Sequence, residues 1–258
     1  MCLIGFAYHC HPKYSLILIA NRDEFYVRPS DLLAYWQDDP NILAGRDQLK
    51  QGTWLGINTR GQIAAVTNYR DGRKHPSGDL RSRGELTRNF LSTHQSAPHY
   101  LEQLRLEQNQ FGDFNLLIGT PSSGLYYFSN THNRGPEPLK PGIYGLSNAQ
   151  LNTPWPKLNT IKEQLSQAIE NEQLDVESLI GIMSDPKTAP DTQLPDTGIS
   201  APWEKTLSSI FINTETYGTR ATTVLLQEHN GKTQVTEQSY DQQGKIARRT
   251  QTLCVPPL

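Results

Sequence analysis

Hydrophobic and polar residues alternate with a period of two in several short runs of the chain, a pattern typical of β-strands. Gly, Pro, Asn or Asp bounds each run, and hairpin turns are indicated at residues 58–61, 120–124 and 230–231. Antiparallel pairing is therefore expected. The predicted strands span residues 3–8, 15–20, 54–58, 62–67, 115–119, 125–129, 221–227, 233–239 and 246–254.

Between these blocks, apolar residues recur every three to four positions, which indicates amphipathic helices. The predicted helices span residues 84–93, 98–107, 155–169 and 175–183. Strands and helices alternate in blocks, without an internal repeat or an obvious linker, and this order predicts one α+β sandwich domain over residues 1–258. Residues 184–202 contain four prolines and predict a loop within that domain.

The charge, the longest apolar run near the N-terminus and the cysteine content argue against several classes of protein for this chain. The chain has 24 Lys and Arg against 26 Asp and Glu, and its net charge of −2 disfavours nucleic-acid binding. The apolar run 16–20 is far shorter than the ~20 residues that cross a bilayer, so we expect a cytoplasmic protein without stable membrane insertion. The chain has three cysteines, an odd number without the spacing of zinc ligands: Cys2, Cys10 and Cys254. We therefore expect neither a disulfide framework nor a structural metal site.

Cys2 is the first candidate for chemistry. Removal of Met1 would leave a residue that carries both a thiol and an α-amine. An α-amine with a pKa near ~8 can accept the thiol proton, which is one way to activate a nucleophile. The alternative is that Cys2 is buried and has no chemical role, because most buried thiols are unreactive.

A polar tetrapeptide, 21–24, follows the predicted strand 15–20, and we expect it at the end of that strand, beside the first one. Arg22 could lower the pKa of the Cys2 thiol and bind a carboxylate or phosphate, and Asp23 could hold an α-ammonium group. Asn21 and Glu24 complete this predicted ligand-binding set. A salt-bridged surface turn is the alternative interpretation.

Three further polar residues lie next to apolar runs: Asn68, Asn148 and Arg220. An Asn amide can donate to an oxyanion and an Arg can stabilise charge on an acyl group, although Asn residues also cap turns routinely. A basic cluster within 70–88 is either a solvated surface or a binding site for a phosphate- or propionate-bearing ligand. The run 9–11, His-Cys-His, could ligate iron, but the proline that follows favours a solvated turn.

Longer motifs carry a family resemblance. They are Met1-Cys2, Asn21-Arg22-Asp23-Glu24-Phe25-Tyr26, Arg28-Pro29, Gly52-Thr53-Trp54-Leu55-Gly56, Leu146-Ser147-Asn148-Ala149, Thr153-Pro154-Trp155 and Tyr217-Gly218-Thr219-Arg220. In these motifs the chain resembles the NRDE family, also called the transport-and-Golgi-organisation family. The resemblance implies an αββα sandwich of the N-terminal-nucleophile (Ntn) hydrolase type, with two stacked antiparallel sheets. It also implies a role in haem delivery, and acyl-coenzyme A binding through residues 21–24.

Within the wider Ntn class the chain looks like the cysteine acylases that cleave penicillin V and conjugated bile salts. That similarity implies a nucleophilic Cys2, with Asp23, Asn68, Asn148 and Arg220 as the other catalytic residues. One departure concerns Arg22 and Asp23, which are adjacent here, whereas two residues separate the Arg and Asp of those acylases. Since neighbours on a strand point to opposite faces, both serve one pocket only where the strand has ended or bulged.

Two functional hypotheses follow. The first is a carrier that binds and delivers a small acidic and hydrophobic ligand, with haem as the first candidate, acyl-coenzyme A as the second, and no required cofactor. The second is an amidohydrolase in which Cys2 attacks a non-peptide C–N bond or a thioester. The oligomeric state and the delivery partner stay open.

Overall fold

The computed structural model describes residues 2–74, 78–132 and 134–255. One antiparallel sheet has six strands. In their order across the sheet these are β10 (Gly142–Leu146), β1 (Cys2–Tyr8), β2 (Tyr14–Phe25), β11 (Tyr217–Glu228), β12 (Lys232–Asp241) and β13 (Gly244–Cys254).

The second antiparallel sheet has seven strands, which follow each other in chain order. They are β3 (Ser30–Tyr35), β4 (Ile42–Asp47), β5 (Leu55–Asn58), β6 (Ile63–Asn68), β7 (Phe114–Thr120), β8 (Gly124–Ser129) and β9 (Glu137–Pro138). The helices are α1 (Gly84–Ser92), α2 (Ala97–Glu107), α3 (Pro156–Glu170), α4 (Val176–Ile182) and α5 (Ala201–Thr206).

Alternation along the strands produces the layers. In β1 and β2, even-numbered residues such as Ile4 and Leu18 pack against the second sheet, while odd-numbered ones such as Leu3 and Ile19 pack against α3 and α4. A third apolar cluster lies between the second sheet and helices α1 and α2. The molecule is therefore an αββα sandwich of two stacked antiparallel sheets, and this confirms the predicted fold class.

Each of the predicted strands and helices is present in the described chain, but four strands and one helix were not predicted: β3, β4, β9, β10 and α5. β4 is buried on both faces except at Arg46, so it shows no alternation. β3 lies at a sheet edge and is largely exposed, and β10 contains two glycines. These strands are present because of their partners rather than their own pattern.

The position of residues 21–24 corrects one expectation. These residues do not follow the end of a strand, because β2 continues to Phe25. β1 and β11 pair with β2 along this stretch and place Cys2 opposite Arg22 and Thr219 opposite Asp23. Pairing with two neighbours satisfies the backbone of a polar segment that has no strand pattern of its own.

The proline-rich segment 184–202 lies against the core. It contains one 3₁₀ turn, Asp191–Gln193, and α5 begins within it at Ala201. The carbonyl of Thr197 accepts a hydrogen bond from the Gly72 N–H at 2.7 Å, so specific contacts hold the segment in place. In the part of the chain that the structure describes, no helix is long and apolar enough to cross a membrane.

Candidate functional site

A cavity of about 820 Å³ lies where the ends of β1, β2, β4 and β6 meet the segment before α1. Its described wall is rich in charged side chains. These are Arg22, Glu24, Arg28, Asp47, Lys50, Asp71, Lys74, Arg81, Arg83 and Asp113. Apolar wall comes from Trp54, Val66, Leu80 and Phe111. The cavity can therefore take a ligand that has both anionic and apolar parts.

Cys2 is the first residue of β1 and lines this cavity. It pairs directly with Arg22 on β2, and directly opposed residues point to the same face of a sheet. The side chain is only 8% exposed, and burial raises the pKa of the thiol to about 11. The thiol is therefore protonated near neutral pH.

Contacts to Trp54 and Asp47 hold Arg22 in the cavity wall. Its guanidinium lies over the Trp54 ring, 4.3 Å from the centroid, and donates to Asp47 at 3.3 Å. Asp47 also accepts a hydrogen bond from Arg28 Nε at 2.5 Å and one from the Lys50 N–H at 2.9 Å. Although burial opposes it, these hydrogen bonds lower the pKa of Asp47. The result is a fixed, ionised Arg22–Asp47–Arg28 cluster.

Two glycines allow this wall to form. A Cβ at Gly45 would lie 2.5 Å from the Trp54 ring, so only glycine leaves room for the ring that supports Arg22. A Cβ at Gly52 would lie 2.4 Å from the carbonyl of Gly84, the first residue of α1. This close backbone approach brings the start of α1, and with it Arg83, to the cavity.

The cations at the α1 side differ in their partners. Lys74 is paired with Asp113 at 2.6 Å, and Arg81 with Glu85 at 3.1 Å. Arg83 forms no ion pair with the described residues and donates only to the backbone carbonyl of Asp113, at 3.1 Å. Burial lowers the pKa of Arg83, but an arginine keeps its charge at neutral pH. Arg83 therefore presents a half-buried charge that a ligand anion can neutralise.

Asn21 faces the helical layer rather than the cavity. Its Nδ2 donates to the carbonyls of Met183 and Ile210, at 2.8 and 2.9 Å, and its Oδ1 accepts from the Thr222 hydroxyl at 2.6 Å. These bonds tie β2 to the segments around α4 and β11. Asn21 is absent from the described cavity wall.

Asp23 lies on the same helix-facing side as Asn21. It accepts a hydrogen bond from the Thr219 hydroxyl at 2.8 Å, and burial raises the pKa of Asp23. The positive charge of Lys157 lowers the pKa of Asp23 and so opposes this effect. Lys157 is itself buried, and burial lowers its own pKa to about 8. β2 does not bulge between Arg22 and Asp23, since the irregularity lies in β11 around Arg220. Adjacent residues therefore serve different faces of the sheet.

Asn68 and Asn148 are neighbours with different surroundings. Asn68 ends β6 and lines the cavity, whereas Asn148 lies behind it, 2% exposed, and donates from Nδ2 to the Asn68 carbonyl at 2.9 Å. Ser147, next to Asn148, donates from its hydroxyl to the Cys2 carbonyl at 3.3 Å. Asn148 thus supports the wall that Cys2 and Asn68 form.

Arg220 stands at the β11 bulge and stabilises the turn after β2. Its Nη1 donates to the carbonyls of Phe25, Tyr26 and Arg28 at 3.0–3.1 Å. Arg220 does not belong to the described wall. The fold thus brings Cys2, Arg22, Glu24 and Asn68 to one cavity and leaves four predicted site residues outside it: Asn21, Asp23, Asn148 and Arg220. Their catalytic or binding roles stay predictions.

The His-Cys-His run 9–11 lies in the connection between β1 and β2, away from the cavity wall described above. The imidazole Nε2 of His9 is 2.8 Å from the Pro121 carbonyl. Among the described residues, no group of three His, Cys, Asp or Glu side chains is arranged to share a metal ion.

Sequence reasoning missed Asp47, Lys50 and Trp54 as site residues. The motif 52–56 carries the family resemblance but predicts no role for Trp54. β4, which ends at Asp47, was not predicted at all. The signal that could have found Trp54 is its position in the motif 52–56, which carries the family resemblance.

Comparison with known proteins gives relatives over most of the chain. The sequence model of the family described as "Transport and Golgi organisation 2" matches residues 1–242. The mouse "Transport and Golgi organization 2 homolog" is 38% identical over 258 aligned residues, which cover 93% of each chain. The human homologue is also 38% identical, over 260 residues and 93% of each chain.

A solved structure has the same kind of fold. The C2A mutant of the conjugated bile acid hydrolase from Clostridium perfringens superposes with a TM-score of 0.50, covering 98% of this chain and 92% of the other. The two sequences are 8% identical, so the likeness concerns the fold alone. It confirms the Ntn-hydrolase-like sandwich that the family resemblance implies.

Proposed function

The chain belongs to the Transport and Golgi organisation 2 family, and we propose that it binds and delivers a small ligand with anionic groups and an apolar part. The observation that carries this proposal is the cation-rich cavity beside Cys2. Its described wall has six Lys or Arg side chains against four Asp or Glu, and Arg83 has no carboxylate partner there. A buried guanidinium gains most from a charged, hydrogen-bonding ligand group.

Acyl-coenzyme A suits this wall better than haem. A phosphate group matches the guanidinium fork of Arg83, which has no carboxylate partner among the described residues, and an acyl chain can pack on apolar residues such as Phe111. Haem propionates would find the same cations, but no histidine or methionine belongs to the described wall, so the iron would depend on Cys2 or Tyr69. The order of the two candidates is thus the reverse of the one that the family resemblance implied.

The experiment is calorimetric titration of the full chain with octanoyl-coenzyme A, with coenzyme A and with haemin. We expect saturable one-site binding of octanoyl-coenzyme A, weakened about tenfold or more in Arg83→Gln, because a charge-assisted hydrogen bond is lost. Arg88→Gln is the matched control, since Arg88 lies on α1, which begins directly after Arg83, and is outside the described cavity wall. Titrations that saturate with none of the three compounds, or equal affinities of Arg83→Gln and Arg88→Gln, would contradict the proposal.

A hydrolase is the second candidate, because Cys2 and Asn68 line the same cavity. With a pKa of about 11, the Cys2 thiol needs a base before it can attack a carbonyl. The α-amine left by removal of Met1 would supply one, and Met1 lies outside the described residues. Intact mass determines whether Met1 is removed. Turnover of acyl-amides and acyl-thioesters by the wild type, lost in Cys2→Ser, would establish this function; unchanged ligand affinity without turnover supports the carrier.

A further inference from the structure

Four of the seven large apolar side chains that are exposed among the described residues lie on adjoining segments near the cavity. We call them the apolar rim. They are Phe25, Val27, Leu49 and Trp203, with exposed fractions of 46%, 90%, 62% and 39%. Soluble proteins rarely concentrate exposed apolar side chains in this way unless the surface binds something.

Hydrogen bonds hold two of these segments side by side. The N–H of Arg28 donates to the Phe25 carbonyl at 3.0 Å and closes a turn that presents Val27. Asp47 accepts from Arg28 Nε at 2.5 Å and from the Leu49 N–H at 3.1 Å, so the turn that presents Leu49 is attached to the first one. These hydrogen bonds fix the two turns, so the fold itself holds Val27 and Leu49 in solvent-exposed positions.

Trp203 on α5 joins the rim through Tyr217. The rings of Phe25 and Trp203 both pack edge-on against the Tyr217 ring, with centroids 5.1 and 5.6 Å away. An indole at the border of an apolar patch is suited to an interface between water and an apolar medium. The apolar rim thus combines two aliphatic side chains with two aromatic ones.

Lys and Arg residues lie close to the apolar rim residues in the sequence. Arg28 follows Val27, Lys50 follows Leu49, and Lys205 lies two residues after Trp203. Arg28 and Lys205 are paired with Asp47 and Asp191, whereas Lys50 is exposed and makes no ion pair with the described residues. Apolar side chains next to Lys and Arg are the arrangement that inserts below lipid headgroups while the cations meet the phosphates.

We infer that the apolar rim docks the protein peripherally on a bilayer that carries anionic lipids. A second copy of the chain fits less well, because a two-fold contact would bring the Lys50 side chains of both copies, which make no ion pair with the described residues, into one interface. Arg28 and Lys50 also line the cavity, so docking places the cavity wall against the bilayer. The four apolar residues of the rim are outside the described cavity wall, so the inference goes beyond the proposed function.

Vesicle co-sedimentation of the ligand-free full chain tests the inference. We expect binding to phosphatidylcholine vesicles that contain phosphatidylserine, and weaker binding to phosphatidylcholine alone. The double variant Val27→Ser/Leu49→Ser should lower the partition coefficient by about tenfold or more, because two aliphatic side chains no longer insert. Leu106→Ser is the matched control, since Leu106 is 91% exposed on α2, which contributes nothing to the rim.

Two further variants test the charges. Lys50→Gln should lower only the part of binding that depends on phosphatidylserine, by about fivefold. Glu215 is exposed on the loop whose Thr216 carbonyl accepts from the Tyr26 N–H at 2.9 Å, so Glu215→Gln should raise that part. The summed fluorescence of the chain's four tryptophans should be quenched by brominated phosphatidylcholine in vesicles, less so in Trp203→Phe, and should be unchanged by the same vesicles in the double variant.

Equal partition of the wild type and the double variant, or no binding to either vesicle, would overturn the inference. Dimers in sedimentation velocity that the double variant abolishes, without vesicle binding, would assign the rim to a second copy instead. Because no ligand is added, a negative result here leaves the titrations with octanoyl-coenzyme A unaffected. All substituted residues are exposed, and circular dichroism melting confirms that each variant is folded.

Discussion

At the scale of single residues, Glu237 shows how burial changes the chemistry of a carboxyl group. It lies on β12, 3% exposed, and accepts hydrogen bonds from the Leu33 N–H at 3.1 Å and the Thr223 hydroxyl at 3.3 Å. Burial raises the pKa of Glu237 to about 7, more than these hydrogen bonds lower it. Because Leu33 belongs to β3, Glu237 links the two sheets through one carboxyl group.

This raised pKa makes stability depend on pH. The folded state keeps the Glu237 proton where the unfolded chain has lost it, so the free energy of unfolding falls as pH rises from 4.5 to about 7. A shift of this size corresponds to about 3 kcal/mol. We expect Glu237→Gln to remove this loss. Denaturant unfolding of both proteins at about pH 5 and about pH 8 measures it; an equal pH dependence of the two would contradict the prediction.

The Cys2 thiol allows a second prediction at this scale. With a pKa raised to about 11 by burial, Cys2 should react with iodoacetamide near neutral pH at least about tenfold more slowly than exposed Cys254. Peptide mass spectrometry after timed alkylation compares the two sites in one sample. Full unfolding should make the two rates similar. Faster alkylation of Cys2 than of Cys254 would indicate an activated thiol and favour the hydrolase.

At the scale of elements, an ion pair fastens the proline-rich segment to the core. Arg70 and Glu204 are 2.9 Å apart, with side chains only 7% and 5% exposed. Glu204 Oε1 also accepts from the Thr197 N–H at 2.7 Å, and the Arg70 guanidinium lies 4.8 Å from the centre of the Trp155 ring. The segment expected as a loop is therefore held by buried charges.

Removal of one partner tests this attachment. Glu204→Ala should destabilise the protein by about 3 kcal/mol, because it leaves the Arg70 charge buried without compensation. The double variant Arg70→Met/Glu204→Leu should cost less than Glu204→Ala alone, since no lone charge remains. Denaturant unfolding gives these values, and hydrogen exchange over residues 189–206 should rise most in Glu204→Ala. A cost of Glu204→Ala below that of the double variant would refute this account.

At the scale of the whole molecule, the two sheets and α1 together build the cavity, so ligand binding is coupled to folding. A ligand present at one hundred times its Kd raises the free energy of unfolding by about 2.7 kcal/mol. We expect octanoyl-coenzyme A to raise the melting temperature of the wild type and of Arg88→Gln, and to have a smaller effect on Arg83→Gln at the same concentration. Identical shifts in all three proteins would place the ligand elsewhere.

β2 shows which part of the fold the sequence predicts and which part it does not. Its apolar half, 15–20, predicts a strand correctly, but its polar half, 21–24, does not, because its hydrogen bonds come from β1 and β11. Register then decides the faces. Arg22 joins Cys2 in the cavity, whereas Asp23 turns toward the helices, and no local pattern distinguishes these two adjacent charged residues.

Taken by itself, the sequence determined the periodic strands and helices, the α+β sandwich and the family. It also predicted eight site residues, of which Cys2, Arg22, Glu24 and Asn68 line the cavity. These follow from local periods and short motifs, which each segment carries within itself. Only the tertiary structure decided that Asp47 and Trp54 hold Arg22, that Arg83 reaches the cavity and that the Cys2 thiol stays protonated. Those properties arise from strand register, close backbone approach and burial, which depend on residues far apart in the chain.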